Sequence, residues 1–248
     1  MTLLPVAGRL LLAVALIPFA FGGAFGQETI ASDRPGIGSG SYVLGLGTVQ
    51  LEAGVGLAEA GNTNSYSLGQ ALVRVGLDAV ELHAILNSYV IVEDADEGWT
   101  DIGLGAKARL YRDPSGVFAL SALGTVSFPI GADFLSADEV VPGLTLLADY
   151  SVTDRLAIAG NAGVSVGTGD LEDTFALIIT PSVSVPNSNL GVYFGYAGFY
   201  ADSGELHFIE GGLALLATPN LQLDLNGGYE IENEDFFVGV GFATRYIR

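Results

Sequence analysis

Thr100-Asp101-Ile102-Gly103-Leu104-Gly105-Ala106-Lys107-Ala108-Arg109-Leu110 sets the reading of the whole chain. Apolar or small side chains at 102, 104, 106, 108 and 110 alternate with Asp101, Gly103, Gly105, Lys107 and Arg109. A repeat of two is the strand period; a helix would return its apolar residues every three or four positions. The pattern recurs on both sides. Val49, Leu51, Ala53, Val55 and Leu57 alternate with Gln50, Glu52, Gly54 and Gly56, and Leu221, Leu223, Leu225 and Tyr229 alternate with Gln222, Asp224, Asn226, Gly228 and Glu230. In Ala71, Val73, Val75 and Leu77 against Gln70, Arg74 and Gly76, Leu72 is the one exception.

Working outward, segments near 47–58, 67–77, 80–92, 99–111, 116–130, 140–152, 156–167, 174–185, 190–201, 206–218, 221–231 and 235–248 carry this alternation. Nearly all reach the roughly 9–11 residues that a tilted strand needs to cross a bilayer. Twelve is even, as both chain ends on one side of the membrane require. The connections alternate in kind: short ones such as Asp78-Ala79 and Thr218-Pro219-Asn220, then longer or more acidic ones such as 93–97, 131–139, 170–173 and 232–235. Short inner turns and longer outer loops are the transmembrane-barrel pattern.

Half of the 248 residues are hydrophobic, only 15% are charged, and 35 are glycine. A soluble β-sandwich also alternates, but its inward face is apolar and its surface rich in charge. Here the face opposite the apolar one is mostly Gly, Ser, Thr, Asn and Gln with sparse charges, a poor dry core and a reasonable wet lumen. The expected fold is all-β: a closed transmembrane antiparallel barrel of twelve strands over 47–248. Residues 1–26 read as a signal peptide, with Arg9, the apolar run Leu10–Phe21 and small residues at Ala24 and Gly26. Residues 27–46 then form an N-terminal periplasmic segment. The chain has no cysteine, so no disulfide and no cysteine-linked lipid anchor is possible. A net charge of −19 argues against nucleic acid as a partner. The expected partners are the lipid bilayer and lipopolysaccharide, a small-molecule solute, and the outer-membrane assembly machinery, which would read the alternating Phe242 and Tyr246 of the last strand.

The segment Ala31-Ser32-Asp33-Arg34-Pro35-Gly36 and the first strand Gly47-Thr48-Val49-Gln50-Leu51-Glu52-Ala53-Gly54 resemble the opening of the outer-membrane barrel family of phenol-degradation (meta-pathway) transporters. Members begin with a T-D-R-P-like segment and continue with a Gly-x-x-Gln-x-Glu-x-Gly-like strand. The second pattern matches at all four specified positions; Ser32 replaces the commoner threonine. The resemblance implies an outer-membrane barrel and uptake of small aromatic or apolar compounds.

By parity Glu52, Arg74, Glu81, Asp101, Lys107, Arg109, Asp149, Asp224 and Glu230 face the lumen, because Arg or Lys facing lipid at mid-depth costs about 2–4 kcal/mol. They form either a charged constriction that filters solutes or a salt-bridge network that braces a narrow barrel. Asp33 and Arg34 sit at the periplasmic mouth, as a gate in which Arg34 pairs with a lumenal carboxylate or as a turn that launches the strand. Leu72, Ile85, Leu123, Leu147, Tyr193 and Phe199 share the inward face, as an apolar cargo path or simple filling. No metal or other cofactor is expected: the acidic loops lack calcium-loop spacing, and His83 and His207 are far apart. No G-x-S-x-G motif occurs, so no enzyme is expected. The function reads as a passive channel for small solutes; the alternative is a closed structural or adhesion barrel acting through its acidic outer loops.

Overall fold

A computed structural model describes residues 29–61 and 63–247. The signal peptide read over 1–26 lies outside the described residues. Alternating side chains give strands throughout: β1 (Thr48–Ala60), β2 (Thr63–Gly76), β3 (Val80–Val92), a short β4 (Glu97–Trp99), β5 (Ile102–Arg112), β6 (Phe118–Phe128), β7 (Val141–Ser151), β8 (Leu156–Ser165), β9 (Thr174–Ser184), β10 (Leu190–Ala201), β11 (Gly204–Thr218), β12 (Leu221–Glu230) and β13 (Phe236–Ile247). Every long strand pairs antiparallel with its sequence neighbour, β1 pairs with β13 from Thr48↔Ile247 to Glu59↔Phe236, and β2 pairs with β3. β4 and β5 both pair with β3 and are two pieces of one wall strand, so the ring closes with twelve staves. Closure removes the open edges that lipid could not satisfy.

Burial is inverted relative to a water-soluble protein. Val49, Leu51 and Val55 on β1, Leu104 and Leu110 on β5, and Leu223 and Leu225 on β12 are exposed. Gln50, Glu52, Arg74, Glu81 and Lys107 are fully buried at 0%. An apolar exterior around an ionic interior is stable only with hydrocarbon outside, where it removes the cost of wetting that surface.

The strands follow the expected segments with two departures. β2 begins at Thr63 rather than 67, close behind the end of β1 at Ala60. The fourth stave breaks at Thr100-Asp101, where the two side chains take backbone amides from β3 and from the loop over 129–140. Thr100 Oγ1 accepts the Ser88 amide at 3.0 Å, while the Asp101 carboxylate accepts the amides of Gly131 at 2.9 Å and Ala137 at 3.0 Å.

Asp101 therefore anchors the longest outer loop, residues 129–140. Asp101→Asn is expected to speed amide exchange at Gly131 and Ala137 at neutral pH relative to the unaltered chain. Equal protection in both at neutral pH would contradict this anchoring.

Candidate functional site

Residues 30–46 do not hang below the barrel as a periplasmic segment. They run as a strap round the inside of the wall. Ile30 donates its amide to Pro219 O at 2.9 Å in the inner turn between β11 and β12. Asp33 and Arg34 then lean on β1, through Glu52, and on β12, through Asp224. Ile37 N reaches Glu210 on β11 at 3.0 Å, Ser39 N reaches Asn161 on β8 at 2.8 Å, and Ser41 N reaches Asp149 on β7 at 2.6 Å. Leu44 N reaches Glu81 on β3 at 2.6 Å, and the chain enters β1. A segment without strand partners must still satisfy its amides away from bulk water. Here acceptors on successive staves take them in turn, which fixes the course of the strap.

The two sequence patterns of the opening form one three-dimensional unit. Ser32 Oγ donates to Glu52 at 2.8 Å, and the amides of Asp33 and Arg34 converge on the same carboxylate at 3.1 Å each. Gln50 Nε2 donates to Ala31 O at 2.9 Å and to Glu52 at 2.7 Å. A Cβ at residue 54 would stand 2.6 Å from Arg34 Nη2, so Gly54 leaves the room in which Arg34 lies flat against the wall. The hydroxyl at 32 does the work of the commoner threonine, which explains why that departure is tolerated.

Beneath the strap lies a knot of ions. Arg74 meets Glu52 at 2.9 Å and Glu81 at 2.8 Å, and Lys107 meets Asp33 at 2.9 Å and Glu81 at 3.3 Å. Lys107 also donates to Gly40 O at 3.0 Å, and Arg74 to Ala31 O at 3.1 Å, so each cation clamps strap backbone as well as carboxylate. Asp33, Glu81 and His83 place ligand atoms within 4.8 Å of one another. Lys107 and Arg74 already neutralise those carboxylates, so the cluster is an ion-pair knot and not an open cation site.

Of the lumenal residues read from the sequence, Glu52, Arg74, Glu81, Lys107, Asp149 and Asp224 converge on the strap. Three stand apart. Asp101 lies at the break between β4 and β5 and holds the loop over 129–140, and Glu230 lies at the outer end of β12, accepting the amides of His207 at 3.0 Å and Asn233 at 2.6 Å to cap the β12–β13 turn. Arg109 lies at the inner end of β5 and donates to Asp78 O at 2.5 Å. Parity gives the face but not the height on a stave. Asp33 and Arg34 lie inside the barrel, not at its mouth, with Arg34 3.0 Å from Asp224. Glu210, Asn161, Ser121 and Gln50 are strap contacts absent from that reading; a lone carboxylate mid-strand at Glu210 was the available signal. His83 meets Glu81, while His207 meets Tyr196 and Glu205, and neither bonds a serine.

The strap leaves space on its outer side. A cavity of about 450 Å³ is lined by Leu72, Ile85 and Leu123, with Gln70, His83, Ser88 and Thr100 among its polar groups. Leu147 and Tyr193, from the same inward set, are buried; Phe199 lines a separate hollow near the outer rim.

This fold recurs in solved channels. The chain superposes on the COG4313 outer membrane channel of Pseudomonas putida F1 with a TM-score of 0.64 at 16% identity, covering 86% of this chain and 99% of that one. It superposes on the NanC porin at 0.60 and 8% identity (78% and 98%), and on the KdgM porin in complex with disordered oligogalacturonate at 0.58 and 11% (79% and 98%). These likenesses show an outer-membrane channel fold. No curated protein matches the chain in sequence. The sequence profile described as "Putative MetA-pathway of phenol degradation" matches residues 32–246, from the strap serine to the last strand, and the chain belongs to that family.

Proposed function

We propose that this barrel is an outer-membrane channel for passive uptake of small solutes, and that small aromatic or apolar compounds are its preferred cargo. The observation that carries the reading is the chamber on the outer side of the strap. Its aliphatic patch of Leu72, Ile85 and Leu123 gives a small apolar molecule a surface to bury, beside six polar residues, the Asp33 carboxylate among them. Its volume falls within the roughly 300–1,000 Å³ of such sites. The competing reading, a closed barrel acting through its acidic outer loops, draws on the strap and ion knot that occupy the inner lumen. Uptake separates the two. Cells carrying the barrel are expected to accumulate labelled toluene faster than cells without it, and Leu123→Glu is expected to abolish the difference. Equal rates with and without the barrel would leave the closed reading.

Ions that pass along the barrel axis meet an acidic path. Asp33, Glu52, Glu81, Asp149, Glu210 and Asp224 outnumber Arg34, Arg74 and Lys107 around the strap, which supports cation preference over anions.

A further inference from the structure

The wall beside the chamber is irregular at one height. On β2 the pairing with β1 jumps from Gly54↔Gly69 to Glu52↔Leu72, so Gln70 and Ala71 both oppose Ala53. Across the next seam, the β2–β3 register runs Leu68↔Tyr89, Ala71↔Asn87, Leu72↔Ile85, leaving Gly69 and Gln70 on one strand and Leu86 and Ser88 on the other outside the ladder. Gly69 and Gln70 have φ of 109° and 40° in mid-strand, where extended backbone is the rule. The same height on the third seam is the break between β4 and β5 at Thr100-Asp101, bridged by Ser88 and Thr100. Gln70, Ala71, Ser88 and Thr100 line the chamber on the inner side of this patch. On its outer side Leu86 is 48% exposed, on the face that meets hydrocarbon.

Lipid penalises interrupted backbone pairing, since no water is present to replace lost hydrogen bonds, and irregular backbone persists at membrane depth where it lines a cavity. Bulges loosen pairing and turn a strand away from its neighbour. Three adjoining seams interrupted opposite the same chamber are therefore a place where the wall can part at small cost. We propose that the β2–β3 seam at Gly69–Ala71 and Leu86–Ser88 is a lateral portal, through which an apolar solute leaves the chamber for the hydrocarbon of the bilayer without crossing the strap. The proposal rests on the uptake reading above. It also gives the filled inner lumen a role: the strap closes the axial path, and Arg34 ties it to the seam through Gln70 Oε1 at 3.2 Å.

The test uses the full chain in cells with a lipopolysaccharide outer leaflet and N-phenyl-1-naphthylamine, which fluoresces on reaching lipid. Val73→Cys with Ala84→Cys places a disulfide between register partners at the edge of the seam, outside the chamber lining, and the chain has no other cysteine to compete. Oxidised, this variant is expected to slow the probe to the rate of cells without the barrel; dithiothreitol is expected to restore it in the same cells. A staple at Leu146→Cys with Ala162→Cys, between β7 and β8, is expected to change nothing. Ala71→Trp, which fills the gap without a crosslink, is expected to reduce the rate to background. Oxidised and reduced seam variants that admit the probe equally, above background, would overturn the portal and leave uptake standing, as would Ala71→Trp at the unaltered rate. An unaltered barrel no faster than background would overturn the uptake reading and the portal with it.

Discussion

Arg74→Met is expected to loosen the strap and turn a narrow, quiet channel into a wider and noisier one. Arg74 is fully buried and binds Glu52, Glu81 and two strap carbonyls, Ala31 O and Tyr42 O, with Asp33 at 3.5 Å. Methionine fills a similar length but carries no charge, leaving three buried carboxylates to share Lys107. Removing one partner from a buried ion pair costs about 3–5 kcal/mol. The loss falls on the strap carbonyls of Ala31 and Tyr42 and on the carboxylates that take the amides of Asp33, Arg34 and Leu44, so the strap should loosen there before the barrel unfolds. Protease cleavage within residues 31–44 and a rise in single-channel conductance are the expected signs. Arg74→Lys should restore only part of the effect, because one ammonium cannot span Glu52 and Glu81 as a guanidinium fork does. A strap as protected in Arg74→Met as in the unaltered chain would show that the ion knot does not hold it.

The barrel itself was legible from one end of the sequence to the other because its two faces meet different solvents. Lipid outside demands an apolar residue at every second position of every stave, and that demand is written locally, residue by residue, in stretches such as Ile102–Leu110. The lumen is not written that way. Glu52, Arg74 and Lys107 could be assigned to the inner face by parity, but which ions meet depends on stagger between staves far apart in sequence, as with Arg34 and Asp224. The strap was harder still. Residues 30–46 have no period, since their amides are satisfied by side chains of other strands and not by a ladder. The Ser32–Arg34 and Gln50–Gly54 patterns were visible as a pair, but nothing in their spacing shows that they touch. Bulges such as that at Gly69-Gln70 were hidden because Leu72 appears only as a break in alternation. In the structure Leu72 is the first regularly paired residue after the slip, and it lines the chamber.

The second large effect follows from removing the strap outright. A chain lacking residues 30–45 keeps all twelve staves, and its lumen loses the segment that crosses it. The backbone ring of a twelve-stranded barrel is roughly 25 Å across, so the cleared lumen should pass ions and hydrophilic solutes that the intact chain excludes. Asp224, Glu210 and Asp149 would then face water, and the preference for cations should persist. The strap as the element that closes the axial path is the centre of this account, and single-channel conductance in a planar bilayer tests it most directly. The account predicts small, cation-preferring steps for the full chain and steps several-fold larger, still cation-preferring, for the chain without residues 30–45. Equal conductance from the two chains would contradict it.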